Sequence, residues 1–492
     1  MTMNRQNAEP TQLCAQKRSQ IPAEVVRAYD IRGIVGKTLL HHHVEALGYA
    51  IGEIVKKTAH PSLIVGRDGR LSSPALFNAL TKGVLAAGVN IIDIGLVTSP
   101  MLYFATHHYN IPHGVMITGS HNAADMNGLK ILIEGTPWHG DDLQQLAMAA
   151  DVALDPPVKP GDDKMGAKGT LKSHVETRSN EEAYFKEIKK SIALPKPLTV
   201  VIDCGNGVAG GIAPTVFEQL GCKVIPLFCE IDGNFPNHHP DPGQPKNLVT
   251  LQETVVAQKA DLGLAFDGDG DRLGVVDSSG QIIWPDRLLM LLAQDLLQRH
   301  PNTPIIFDVK CSQQVPTFIK AHQGIPLMWK TGHSLIKAKM KETGALLAGE
   351  LSGHLFFKER WYGFDDGIYA GARIAEILSH ALETNTYPSS HELFKPLPNS
   401  VSTPEIALPV LETDKFTLIQ RLVEQQNHFI GAISTIDGLR VDFEDGFGLV
   451  RASNTSANLI LRFEGHTQEA LLRIQDLFRQ ILEPVLNQKL SF

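Results

Sequence analysis

Asp267, Asp269 and Asp271 are separated only by Gly268 and Gly270 and are followed at once by Arg272. Carboxylates this close repel one another unless a hard cation lies between them, and oxygen donors alone select Mg²⁺ or Ca²⁺ over softer metals. The two glycines permit the tight turn that aims the three acids at one point. An EF-hand also opens on alternating Asp, but it needs Gly at its sixth position and Glu at its twelfth, where this chain has Arg272 and Ser278. An arginine beside a metal cage implies a bound anion. A second loop, Thr118-Gly119-Ser120-His121-Asn122, offers one hydroxyl in a turn of small residues. Alone it reads as an ordinary turn. Beside a carboxylate-bound metal, the serine could carry a phosphoryl group whose oxygen completes the coordination shell.

Both loops follow apolar β-rich runs, and the order of elements around them repeats. Ser62 to Val65 leads to a turn, a helix from about Ser73 to Ala87 and a strand at Asn90 to Ile94, and then Gly114 to Thr118 delivers the Ser120 loop. Leu198 to Asp203, a helix from about Gly211 to Leu220 and Cys222 to Phe228 precede the Asp loop, whose flanks, Ala260 to Phe266 and Leu273 to Asp277, read as strands. Pro304 to Asp308, a helix near Gln314 to His322 and Ile325 to Trp329 precede Ala345 to Ala348 and the loop Gly349-Glu350-Leu351-Ser352-Gly353-His354. The fold class is therefore α/β: three related domains with mixed, largely parallel sheets, whose strand ends gather ligands. A run from about His391 to Pro404, rich in Pro and Ser, predicts a hinge into a C-terminal α+β domain. The expected division is a tail at 1–20, α/β domains at 21–172, 173–281 and 282–392, and the α+β domain at 393–492, all around a central cleft.

A hydrophobic content of 43% supports buried cores, and a net charge of −8 gives no polybasic face for nucleic acid or acidic membranes. No apolar run approaches a membrane span. The five cysteines are scattered without metal-ligand spacing, which fits a reducing cytoplasm. The first residues lack the apolar core of a signal peptide.

Four segments taken in order, Ser120-His121-Asn122, Asp267 to Arg272, Gly349 to His354 and Arg451-Ala452-Ser453-Asn454-Thr455, resemble the signature loops of the α-D-phosphohexomutase superfamily. Arg27 to Gly33 and Glu359 to Gly367 are similar to its bacterial bifunctional phosphomannomutase/phosphoglucomutase branch. The resemblance implies a phosphohexose mutase that interconverts hexose 1- and 6-phosphates of mannose and glucose, with Ser120 phosphorylated. It implies Mg²⁺ held by Ser120, Asp267, Asp269 and Asp271, and a hexose 1,6-bisphosphate as intermediate and activator. Catalysis falls to Ser120, Arg272, Lys130 and His333. Substrate contacts fall to Tyr29, Arg32, Lys310, His333, to Glu350, Leu351, Ser352, Gly353 and His354, and to Arg451, Ala452, Ser453, Asn454 and Thr455. The expected partners are phosphosugars, with no nucleic acid or membrane, and a monomer is expected. A phosphoglucosamine mutase is the alternative within the same family.

Gly205-Asn206-Gly207-Val208-Ala209-Gly210 also satisfies the dinucleotide fingerprint after a strand, with Glu230 past the next strand, and would make the protein an NAD-dependent oxidoreductase. The family more often has Ala at Gly119 and Pro at Ala123, so the Ser120 loop is expected to be looser here. His41 to His43 are expected at the surface.

Overall fold

The computed structural model describes residues 20–154, 173–454 and 456–492. The expected tail, apart from Gln20, lies outside the described residues, as does Thr455. Among the described residues there are four sheets, of seven, five, four and six strands.

The first three sheets share one plan that the sequence alone only half displays. Each has a parallel core followed by an antiparallel hairpin, and each hairpin loop carries chemistry. Gly114–Ile117 runs parallel to Ser62–Arg67 and antiparallel to Met126–Ile133, with the Ser120 loop at the turn. Leu262–Phe266 runs parallel to Thr199–Asp203 and antiparallel to Leu273–Asp277, with the Asp loop between. Leu347–Gly349 runs parallel to Pro304–Asp308 and antiparallel to Leu355–Phe357, with Glu350 to His354 between. The two latter loops are tied together, since Arg272 and His354 form an isolated β-bridge and Leu273 N–H donates to the Gly353 carbonyl at 3.1 Å.

Leu262–Phe266 is buried along its whole length because both sheet faces are covered. Leu264 and Phe266 face the large core shared by the first three domains. Ala265 faces the other way, against Val201, Leu251, Val255 and Val276. Alternation thus fixes the register, and with it the direction in which the Asp loop leaves the strand. The helix Gly367–Glu383, capped by Asp366 accepting from Tyr369 N–H at 2.9 Å, lies in the same core. Its burial extends nearly all round, with 13 of its 17 residues buried.

The fourth sheet is antiparallel and packs against the helices Lys415–Glu424 and Gln468–Leu486. Arg440 joins it to the third domain, donating to the carbonyls of Val309 and Cys311 at 2.6 and 2.7 Å while stacking over Phe447. The connecting run is less free than its composition implies. Ser390–Phe394 is helical, Ser390 Oγ donates to the Asp261 carbonyl at 2.6 Å, and Phe394 and Leu397 sit in the large core. Only the stretch after Leu397 is left as a linker. His43 corrects another expectation, because it is buried and its Nδ1 accepts from Leu40 N–H at 3.3 Å at the start of the helix His41–Val55.

Candidate active site

A cavity of about 430 Å³ opens where the four domains meet. Its wall includes Tyr29, Arg32, Ser120 and Lys130 from the first domain and Arg272 from the second. Lys310, His333, Glu350, Leu351, Ser352 and His354 come from the third domain, and Arg451, Ser453 and Asn454 from the fourth. Gly353 and Ala452 do not line it. Gly353 has φ of +100° and turns the loop where a Cβ would press on Leu273, and Ala452 ends a fully paired strand.

The Ser120 loop and the Asp loop meet. Ser120 Oγ donates to Asp267 Oδ2 at 2.8 Å, although 147 residues separate them. Asp267, Asp269 and Asp271 are wholly buried, with ligand oxygens within 4.8 Å of one another. Burial, and then Asp269 and Asp271, push the Asp267 carboxyl well above the usual range. Lys130 Nζ lies 2.6 Å from both Asp269 Oδ2 and Asp271 Oδ2. Burial alone would lower its pKa, but the two acids more than offset this and hold the ammonium charged. Asp269 Oδ1 has no partner among the described residues, and Asp271 Oδ1 has only His354 Nε2, at 3.3 Å. Three crowded carboxylates, one with an unused buried oxygen, and a hydroxyl beside them form an all-oxygen donor set that fits Mg²⁺. Ser99 Oγ, at the start of the helix Ser99–His108, donates to Asp269 Oδ2 at 2.5 Å and fixes that ligand.

Around this cage the groups differ in charge state. His354 Nε2 lies 3.3 Å from Asp271 Oδ1 and Nδ1 lies 3.1 Å from Glu350 Oε2. Burial opposes its charge, yet Asp271 and Glu350 more than offset that and push its pKa up to about 9. As an imidazolium it gives its Nε2 proton to Asp271 rather than accepting from Arg272. His333 goes the other way: burial, with Lys337 and Lys130 nearby, holds it well below 6.5, so it is neutral at pH 7. Arg451 Nε donates to Asp437 Oδ2 at 2.9 Å, leaving Nη2 buried without a partner among the described residues. Lys310 lies 2.6 Å from Glu405, just after Val401–Ser402, the first strand of the fourth sheet.

Several contributors escaped the sequence reading because their partners are remote in the chain. Asp437 fixes Arg451 and also accepts from Thr331 N–H at 3.0 Å. Asp365 accepts from Lys337 at 2.8 Å beneath His333. The Glu359 to Gly367 resemblance covered Asp365 without giving it a role. The glycine-rich turn at Gly205 is taken up by packing: a Cβ at Gly210 would meet the Cys229 carbonyl at 2.1 Å, and one at Gly207 would meet Gly268 Cα at 3.0 Å. Gly207 serves close approach to the Asp loop and Gly210 close approach to the backbone at Cys229, and the helix that follows, Ala213–Gln219, is short.

The chain matches the α/β/α domains I, II and III of phosphoglucomutase/phosphomannomutase over residues 23–151, 182–280 and 284–397, and the C-terminal domain over 405–481. It is 50% identical over 469 residues to a phosphomannomutase/phosphoglucomutase of Pseudomonas aeruginosa, covering 95% of this chain and 97% of that protein. It is 47% identical to a phosphoglucomutase of Neisseria gonorrhoeae, covering 94% and 98%. A crystal structure of a phosphoglucomutase/phosphomannomutase family protein from Burkholderia thailandensis superposes with a TM-score of 0.86 at 45% identity, over 96% of this chain and 99% of that one. Four domain matches in order, carried by relatives near half identity along almost their full length, make this chain a member of the phosphoglucomutase/phosphomannomutase family.

Proposed function

We propose that the protein is a hexose phosphate mutase, acting on mannose and glucose phosphates, with Ser120 as the phosphoryl carrier. The observation that carries the reading is the contact between Ser120 Oγ and Asp267 at 2.8 Å, on the wall of a cavity that Arg451, with its Nη2 left without a partner among the described residues, also lines. Phosphoserine 120 gives its phosphoryl group to the free hydroxyl of a hexose phosphate, breaking the seryl O–P bond and forming a 1,6-bisphosphate. The bisphosphate turns end for end and returns its other phosphoryl group to the Ser120 oxygen, leaving the isomeric monophosphate. A cavity of about 430 Å³ falls in the size range of small-ligand sites. Mg²⁺ held by Asp267, Asp269 and Asp271 would stabilise the charge developing on the seryl oxygen.

Neutral His333 suits acceptance of the sugar hydroxyl proton, whereas charged Lys130 and Arg272 suit the transferring phosphate. Glu350, Ser352 and His354 take sugar hydroxyls, with Tyr29, Arg32 and Lys310 around the ring and phosphates. Arg451 with Ser453, Asn454 and Thr455 grips the phosphate that is not reacting, since an arginine with neighbouring hydroxyls and amides offers several donors at once. Water must be excluded from a phosphoenzyme, so the fourth domain closes about the linker after Leu397. A monomer is proposed. The free thiols Cys204, Cys222, Cys229 and Cys311 support a reducing compartment. No helix among the described residues is long and apolar enough to cross a membrane.

The test is turnover of mannose 1-phosphate, glucose 1-phosphate and glucosamine 6-phosphate by wild type and Ser120→Ala. Activity on the first two that vanishes in the variant is expected. Exclusive turnover of the amino sugar moves the assignment to a phosphoglucosamine mutase, and full activity in the variant removes serine from the mechanism.

A further inference from the structure

Arg70 does not line the cavity; its guanidinium is buried behind the Ser120 loop, 2% exposed. Nη1 donates to the carbonyls of Ala123 and Met126 at 2.5 and 2.9 Å, and Nη2 to those of Ser120 and Asn122 at 2.7 and 2.6 Å. Nε donates to Asp68 Oδ2 at 3.2 Å, and that carboxylate also accepts from Gly119 N–H at 3.1 Å. One ion pair therefore holds both the entry and the far side of the loop. The loop needs holding. Ser120 itself has φ of +48°, a conformation that residues with a Cβ keep only under surrounding constraint. Gly119 is the counterpart of the clamp, because a Cβ there would lie 2.5 Å from Arg70 Cζ. Against the expectation that Gly119 and Ala123 leave the loop loose stands this brace: the glycine admits the arginine.

The geometry points to Arg70 as a positioning residue, which locks the Ser120 loop in the one conformation that presents Oγ both to the acidic cage and to the sugar. The inference rests on Ser120 being the phosphoryl carrier. A rigid loop costs nothing in substrate binding but sets the alignment of the transferring group, where small misplacements lower rates by orders of magnitude. Loss of the clamp therefore acts on kcat and spares KM.

The test compares wild type, Arg70→Lys and Arg70→Ala in steady-state mutase assays, with the intact mass of each protein recorded. Lysine keeps the charge beside Asp68 but lacks the planar fork that reaches four carbonyls. The expected falls in kcat are about tenfold for Arg70→Lys and about 100-fold for Arg70→Ala, with KM for the hexose phosphate within about threefold of wild type. Added methylguanidinium should partly restore Arg70→Ala and leave wild type unchanged. Should Arg70→Ala not fold, Arg70→Lys carries the same expectation. An Arg70→Lys enzyme with wild-type kcat, or one whose loss lies in KM, overturns the clamp. If wild type carries phosphoserine 120 in that experiment, the clamp alone fails. If wild type never carries it, the carrier role fails with it.

Discussion

Replacing Arg451 by alanine should raise the KM for hexose phosphates about ten- to 100-fold and leave kcat within about fivefold, for reasons that can be worked from its surroundings. Its side chain is 5% exposed, Asp437 occupies Nε, and Nη2 has no partner among the described residues. Asp437 thus pre-orients a charged donor toward the cavity at no cost during binding. A charge-assisted hydrogen bond of this kind contributes about 1.5 to 3 kcal/mol, and about 1.4 kcal/mol is a factor of ten in binding. If Arg451 holds the non-reacting phosphate, that phosphate is remote from the bond being broken, ground and transition states lose the same amount, and the effect belongs in KM. The assay couples conversion of glucose 1-phosphate to oxidation of the 6-phosphate, read over a wide substrate range. Asp437→Asn should move KM in the same direction by less. A KM unchanged in Arg451→Ala, or a loss confined to kcat, would refute the assignment of Arg451 to the non-reacting phosphate.

Metal removal should abolish turnover while leaving the fold in place, because Lys130 bridges Asp269 and Asp271 and keeps the acidic turn neutralised. Chelation followed by circular dichroism and re-addition of Mg²⁺ checks this, and loss of secondary structure would contradict it. His238 sits 2.9 Å from Asp203 Oδ2; burial lowers its pKa, but the hydrogen bond and charge of Asp203 more than offset this and raise it above the ordinary value. Its contribution to stability is therefore full below the unfolded value of 6.5 and fades as pH rises through the higher folded value. The melting difference between wild type and His238→Gln should be larger at about pH 5.5 than at about pH 8.5, and a constant difference would count against the pair. Arg440→Ala should destabilise the attachment of the fourth domain by about 3 kcal/mol, since two buried carbonyls lose their charged donor. Limited proteolysis should then cut earlier in the linker after Leu397, and an unchanged cleavage rate would argue that the attachment lies elsewhere.

The parts legible in the sequence are those whose signal is local. Asp267 to Arg272 announces itself because like charges cannot be crowded without a cation, and the repeat of strand, helix and strand exposes three α/β units. Other features are invisible in the sequence because they depend on contacts across the chain. Arg70 reads as a turn residue until the fold lays it under a loop some fifty positions later, with Ser120, Asn122, Ala123 and Met126 all within its reach. Asp437 has no motif of its own and matters only through Arg451 and Thr331. The helix Gly367–Glu383 is buried nearly all round, and Arg373 inside it is compensated by Glu359 at 2.8 Å. Gly119 illustrates the limit: as a lone residue it predicts looseness, and only the fold shows Arg70 packed where its Cβ would lie.

Intact mass of the freshly purified protein, followed by peptide mapping after incubation with glucose 1,6-bisphosphate, tests most directly whether Ser120 carries the phosphoryl group. A single added phosphoryl group on the peptide containing Ser120, discharged by excess hexose monophosphate, is the predicted result. A protein that stays unmodified under those conditions while still isomerising hexose phosphates, or that carries the group on another residue, would contradict it.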